Sequence, residues 1–278
     1  MHSYVIADVF TDTPLEGNQV AVFLDAAGLS DAQMQRTARE MNLSETVFVL
    51  SRTGADAEIR IFTPATELPF AGHPILGSAF VLGAERDEDV VRLRVPAGNV
   101  PVTLTREGKR IVFGEMEQPI PTWAAFGGER ELFAALGVAG AQLPLDVYDN
   151  GPTHLCVALR DEDAVAELHP DLGALAALGP LNVSCFAGAG HRFKTRMFAP
   201  GIGVAEDPAT GSAAGPLAVH LARHGRIEFG ADIEIRQGAE IQRPSVLHAR
   251  VDGSPEQIER VAVGGAAVVV ARGEYRLS

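Results

Sequence analysis

Gly17-Asn18-Gln19-Val20-Ala21-Val22-Phe23-Leu24-Asp25 runs from a glycine turn into an apolar strand, and the chain repeats the move at Gly151-Pro152-Thr153-His154-Leu155-Cys156-Val157-Ala158-Leu159-Arg160-Asp161. Other passages return in the same order. A helical stretch from Ser30, a plausible N-cap, to Met41 is followed later by one from Asp171 to Leu178. Asn42-Leu43-Ser44-Glu45 is matched by Asn182-Val183-Ser184-Cys185, and Arg60-Ile61-Phe62-Thr63-Pro64 by Arg196-Met197-Phe198-Ala199-Pro200. His73-Pro74-Ile75-Leu76-Gly77-Ser78-Ala79 is matched by Asp207-Pro208-Ala209-Thr210-Gly211-Ser212-Ala213. Gly, Pro and Ser recur at turns in any protein, but these matches include apolar and aromatic positions. A period of roughly 135 residues is far too long for a solenoid. It predicts two similar domains related by an approximate two-fold axis, with a ligand cleft between them.

Each half reads as mostly strands plus one prominent helix, an α+β fold. Val20 to Leu24, Val47 to Leu50, Glu58 to Phe62, Val90 to Val95 and Val100 to Leu104 are short β-rich runs. The prominent helix follows His73-Pro74. Its counterpart follows Asp207-Pro208 and runs toward His224, with Pro216 expected to kink or shorten it and Gly225 to stop it. Pro119-Ile120-Pro121 and Gly127-Gly128 mark the boundary, giving domains 1–122 and 123–278. The last strand is free to pack back on the first domain.

Composition narrows the function. The 278 residues carry a net charge of −13, which argues against nucleic acid as a partner because phosphate neutralisation needs clustered Lys and Arg. A small anion is still admissible, since backbone dipoles hold carboxylates on acidic proteins. No apolar run is long enough for a membrane span, and the first residues read as a strand rather than a signal peptide. Two cysteines, Cys156 and Cys185, make no disulfide framework. The expectation is a cytoplasmic protein with no membrane or nucleic-acid partner.

Both repeats place the same elements at the mouth of a helix. A polar residue, His73 or Asp207, is expected at the N-cap, with proline at the first helical position and Gly-Ser-Ala three residues on. Small residues let a backbone approach a ligand, and the unpaired N–H groups of a first turn attract a carboxylate. The same pattern also describes two well-capped helices with no ligand. Neither is a nucleotide loop: Gly211-Ser212 lacks a neighbouring Lys, and Gly201-Ile202-Gly203 lacks a third glycine.

Glu45 is the asymmetric position, with Cys185 as its expected counterpart. At a strand mouth it is either a surface carboxylate, the commoner case, or a partly buried one whose pKa rises toward proton transfer. His73 is a proton donor, a hydrogen-bond partner or a cap. Asp207 is an orienting group or a cap. Ser212 has no His/Asp relay to make it a nucleophile. Cys156 and Cys185 read as inert thiols. His220 and His224 stand at metal-ligand spacing on a helix, but no Glu or Cys completes the set nearby, so a solvated face and no metal are expected.

Gly17-Asn18-x-Val20-Ala21-Val22, Asn42-Leu43-Ser44-Glu45-Thr46, Ala71-Gly72-His73-Pro74 and Glu206-Asp207-Pro208-Ala209-Thr210-Gly211-Ser212-Ala213 resemble the PhzF family of phenazine-biosynthesis proteins over the whole chain. The resemblance implies a fold like that of diaminopimelate epimerase: two pseudo-symmetric domains, each a curved, mostly antiparallel sheet or barrel around a central helix. Those epimerases use a pair of cysteines at the two helix starts, and this chain has none there. The family often has Pro after Gly-Asn, where this chain has Gln19. The resemblance further implies a cofactor-free isomerase, acting as a homodimer among phenazine-pathway enzymes. It would convert trans-2,3-dihydro-3-hydroxyanthranilate to an aminocyclohexenone carboxylic acid. Glu45 would carry the proton, while Gly72, His73, Asp207, Gly211 and Ser212 surround the substrate. The alternatives are an isomerase or epimerase of another small amino or hydroxy acid, and a non-catalytic small-acid binding protein. Against the last, a carboxylate in the pocket does nothing for anion binding.

Overall fold

The computed structural model describes residues 1–53, 56–84 and 86–277. The chain divides into two compact units, one of residues 1–117 together with the end from Gly264, the other Gln118–Val263. The first unit contains β1 (His2–Val9), β2 (Asn18–Phe23), α1 (Asp31–Met41), β3 (Glu45–Thr53), β4 (Asp56–Phe62), β5 (Glu67–Leu68), α2 (Gly72–Gly83), β6 (Val90–Val95), β7 (Gly98–Glu107) and β8 (Arg110–Gln118). Next come β9 (Thr122–Ala125), α3 (Glu129–Leu136), β10 (Asp146–Asp149), β11 (Thr153–Ala158), α4 (Glu162–Ala166), α5 (Leu172–Ala176), β12 (Asn182–Ala189) and β13 (Arg192–Ala199). After a 3-10 turn follow β14 (Val204–Asp207), α6 (Gly211–Arg223), β15 (Asp232–Gln237), β16 (Ser245–Gly253), β17 (Ile258–Gly265) and β18 (Ala267–Tyr275).

The repeated passages fold into one topology, written twice. In the first unit β1 pairs antiparallel with β2, β2 parallel with β3, β3 antiparallel with β4, and β4 parallel with β6, which turns into β7. In the second unit β10, β11, β12, β13, β15 and β16 follow the same succession of antiparallel and parallel joins. Even the short partner is repeated: β5 lies on β4 as β14 lies on β13. Residues 267–275, which the sequence analysis gave to the second repeat while letting them pack back, pair as β18 with β1.

Each unit has a sheet between two layers. All twelve residues of α2 are buried, and it touches β1, β2, β3, β6 and β7. On the opposite face Phe23, Phe48 and Phe62 pack with Met34 and Ala38 of α1. Ser30 caps α1, as expected, and forms a capping box with Gln33. In the second unit α6 is buried along residues 211–222, and Leu155, Val157, Val183 and Cys185 form the other face with α3, α4 and α5. The expected helix from Asp171 is shorter, Leu172–Ala176, and α4 precedes it, each capped by the aspartate before it.

Three details differ from the sequence expectation. First, His73 and Asp207 are not N-caps. Ala71 caps α2, so Gly72, His73 and Pro74 are its first three residues. Proline is tolerated there because first-turn N–H groups have no helical partner. Asp207 ends β14, and α6 begins only at Gly211 after Thr210. Second, the helix starts therefore match Gly72-His73 with Gly211-Ser212. Gly77-Ser78-Ala79 lies inside α2, where a Cβ on Gly77 would stand 2.6 Å from Val20 Cγ1. That glycine serves helix–sheet packing, not ligand approach. Third, α6 is not shortened at Pro216 but runs through it to Arg223.

Candidate active site

Strand register decides which side chains face each central helix. Successive residues of a strand alternate faces. Phe48 belongs to the α1 layer, so Glu45, Val47 and Val49 face α2. Asn42 closes α1 in the left-handed region at φ 52°, a conformation asparagine tolerates, and Leu43-Ser44 then deliver Glu45 as the first residue of β3. The parallel join sets Val20 of β2 opposite Glu45.

The corresponding position in the second unit is not Cys185. Thr46 pairs with Phe62 and Val183 with Phe198, so Glu45 corresponds to Asn182. The two Asn-x-Ser tetrapeptides match as letters but sit three residues out of register. Cys185 corresponds to Phe48 and faces away from α6 in the apolar layer. Burial pushes its thiol up to about 12 and that of Cys156 higher still, so neither supplies a thiolate near neutral pH.

At the start of α2, His73 Nε2 lies 3.2 Å from Glu45 Oε2 and 3.2 Å from the Gln19 carbonyl oxygen. The side chains are 5% and 15% exposed. A carbonyl only accepts, so Nε2 carries the hydrogen. Burial drives the His73 pKa down to about 3, against the opposing pull of the Gln19 bond. His73 is thus a neutral donor fixed in one tautomer by the Gln19 carbonyl, with the carboxylate close beside its Nε2. The second unit has an analogous bond with a different residue: Asn182 Nδ2 donates to the Thr153 carbonyl at 3.0 Å.

In the second unit Asp207, 8% exposed, closes β14, and the hydroxyl of Thr210 donates to its Oδ2 at 2.6 Å. Gly211 and Ser212 open α6 with their backbone N–H groups unclaimed by the helix itself. Pro216 has no N–H to give to Ser212 O, and Asn150 Nδ2 donates there instead at 3.0 Å. Gln118, Asn150, Thr210 and Gln237 bond to these residues, and nothing in the sequence reasoning singled out any of the four. Pro216 was the available signal, since a proline inside a helix leaves a carbonyl in need of a partner.

The pair His220 and His224 corrects another expectation. His220 is fully buried, and Asp146 of β10 completes a His-His-Asp group whose ligand atoms lie within 4.8 Å of one another. Its centre is taken. Arg223 Nη1 donates to Asp146 Oδ2 at 2.9 Å and to Tyr148 Oη at 2.6 Å, and its guanidinium stacks 4.2 Å over Trp123. His224 Nε2 sits 2.8 Å from the same Oδ2. Burial raises the Asp146 pKa, but the bonds from His224 and Arg223 outweigh it and hold the carboxyl below its usual range. The group is an ion-paired clasp between α6 and β10.

The chain's relatives agree with this architecture. A protein from Pseudomonas fluorescens named trans-2,3-dihydro-3-hydroxyanthranilate isomerase is 54% identical over 274 residues, covering 98% of this chain and 99% of the relative. A crystal structure of a Bacillus anthracis phenazine biosynthesis protein of the PhzF family superposes with a TM-score of 0.86 at 25% identity, covering 99% of both chains. A probable proline racemase from Agrobacterium radiobacter shares the fold at a TM-score of 0.66 and 12% identity, covering 100% of this chain and 94% of its own. The sequence model described as phenazine biosynthesis-like protein, PhzC-PhzF, matches residues 7–273, and the chain belongs to that family.

Proposed function

We propose that this protein is an isomerase that converts trans-2,3-dihydro-3-hydroxyanthranilate to an aminocyclohexenone carboxylic acid in phenazine biosynthesis. The observation that carries the proposal is the Glu45 carboxylate, its Oε2 3.2 Å from Nε2 of a neutral, buried His73 at the first turn of α2. Glu45 takes the proton from ring carbon 3 of the substrate. The electron pair spreads through the diene to carbon 1 and its carboxylate. Glu45 then returns the proton to carbon 1, the double bonds move one place along the ring, and the enol at carbon 3 becomes the ketone. No atom is gained or lost, and one shuttling carboxyl suffices.

His73 orients Glu45 and does not titrate with it, since burial keeps the imidazole neutral. Gly72 and His73 in the first unit, and Asp207, Gly211 and Ser212 in the second, are assigned to substrate binding. Helix-start N–H groups suit a substrate carboxylate on which negative charge builds. The same proposal takes the protein as a cytoplasmic homodimer that needs no cofactor and works alongside other phenazine-pathway enzymes. No described helix is long and apolar enough to cross a membrane.

Glu45→Gln tests the proposal. The variant should lose turnover by a factor of about 10³ or more while still binding the product. Wild-type solvent-deuterium incorporation at carbon 1 should vanish with it. Full activity in Glu45→Gln ends the assignment.

A further inference from the structure

Three buried side-chain carboxamides converge on the backbone of the three candidate binding residues of the second unit. Gln118 Nε2 donates to Gly211 O at 2.8 Å, Asn150 Nδ2 to Ser212 O at 3.0 Å, and Gln237 Nε2 to Asp207 O at 2.8 Å. All three residues are 5% exposed. They come from the end of β8, the turn after β10 and the end of β15. We infer that Gln118, Asn150 and Gln237 are positioning residues, a carboxamide frame that fixes the strand end and helix start from which Asp207, Gly211 and Ser212 act. The inference rests on the assignment of those three to substrate binding.

The local sequence is written to admit the frame. Proline at 216 releases Ser212 O from the helix ladder, and Asn150 takes it. A Cβ on Gly215 would stand 2.4 Å from Gln118 Oε1, so glycine there is what lets the amide approach. At Gln237 every hydrogen-bonding site is used. Its second N–H goes to Thr210 Oγ1 at 3.0 Å, and its Oε1 accepts from Thr195 Oγ1 at 3.2 Å and from Thr210 N at 3.3 Å. Those four bonds leave one orientation for the amide. Thr210 in turn has its hydroxyl hydrogen committed to Asp207 Oδ2 at 2.6 Å. Gln237 therefore holds Asp207 at both ends, directly at its carbonyl and through Thr210 at its carboxylate. Preorganisation of this kind acts on the rate more than on KM, because the helix-start N–H groups meet negative charge that builds only in the transition state.

The test uses the full chain with Asn150→Asp, Gln118→Met and Gln237→Glu. Asn150→Asp is nearly isosteric and turns a donor into an acceptor facing Ser212 O. Each variant should lower kcat about tenfold or more with KM within about threefold. Pro216→Ala added to Asn150→Asp restores a backbone N–H for Ser212 O and should recover at least part of kcat. Added to Gln118→Met it should recover nothing. Gly215→Ala displaces the Gln118 amide without removing it, and covers the case in which Gln118→Met does not fold. Rates within twofold of wild type in the folded variants overturn the inference, as does equal rescue of both by Pro216→Ala. Amide hydrogen exchange over residues 211–215 without substrate separates this from the functional assignment. Exchange about tenfold faster in the variants supports the frame even if wild type fails to turn over the dihydroanthranilate, a failure that would count against the proposed function alone. Unchanged exchange overturns the frame whatever the activity.

Discussion

Replacing His154 by Leu should make the protein more resistant to acid. His154 lies on β11 fully buried, and neither ring nitrogen has a hydrogen-bond partner among the described residues. Burial alone depresses its pKa from 6.5 to about 3. The folded state therefore prefers the neutral ring. Its contribution is intact above the unfolded-state pKa of 6.5 and is lost as pH falls from there toward 3. Over that window each unit of pH costs about 1.4 kcal/mol for one excluded proton. At pH 5 the penalty is thus about 2 kcal/mol, a large share of the roughly 5–15 kcal/mol that holds a domain together. Leu fills a similar volume and takes no proton. Urea unfolding of wild type and His154→Leu at pH 8 and pH 5 measures the difference. The variant should gain about 2 kcal/mol more, relative to wild type, at pH 5 than at pH 8. An equal difference at both values would show that this histidine is protonated in the fold, and would refute the burial argument.

Two further outcomes follow from the first unit. His73→Leu removes the imidazole whose Nε2 lies 3.2 Å from Glu45 Oε2, so kcat should fall about tenfold or more through misplacement of the carboxylate. The wild-type rate profile should show no inflection near pH 6.5, because burial places His73 at about 3; an inflection there that disappears in the variant would contradict a neutral imidazole. Gly77→Ala drives a Cβ to 2.6 Å from Val20 Cγ1 and 2.8 Å from Val9 Cγ2. Overpacking of that kind costs about 1–3 kcal/mol, and because Val20 is the strand partner of Glu45, turnover should drop along with the melting temperature. Val20→Ala in the same chain removes the nearer clash and should recover part of both.

Much of the fold was legible because strands and helix caps are local. Val20 to Leu24, Val47 to Leu50 and Ser30 each announce themselves within a few residues, and their recurrence revealed the doubled topology. The finer alignment of the halves failed for a physical reason. Asn-x-Ser recurs at Asn42 and Asn182, but the first asparagine closes a helix and the second opens a strand and bonds to Thr153 O. Gly-Ser-Ala recurs at Gly77 and Gly211, but one glycine accommodates Val20 and the other begins a helix. Identical letters met different local demands. Only hydrogen-bond register, which a single sequence does not carry, tells them apart. Glu45, Gly72, His73, Asp207, Gly211 and Ser212 are candidates because their motifs resemble those of the family. The amides behind them could not be named, since Gln118 meets Gly211 across 93 residues and Asn150 meets Ser212 across 62. Asn and Gln are too common for such distant pairings to stand out.

The pairing of β18 with β1, from His2 opposite Tyr275 to Val9 opposite Ala267, bears on how the polypeptide matures as it leaves the ribosome. The strand that begins the first unit waits through the synthesis of everything in between for its neighbour. Residues 118–263 contain their own ladder and can consolidate meanwhile. Until the last stretch emerges, β1 presents one bare edge, a template for stray strands from other nascent chains. Such long-range closure is slow, so that edge stays open to aggregation until the two strands meet.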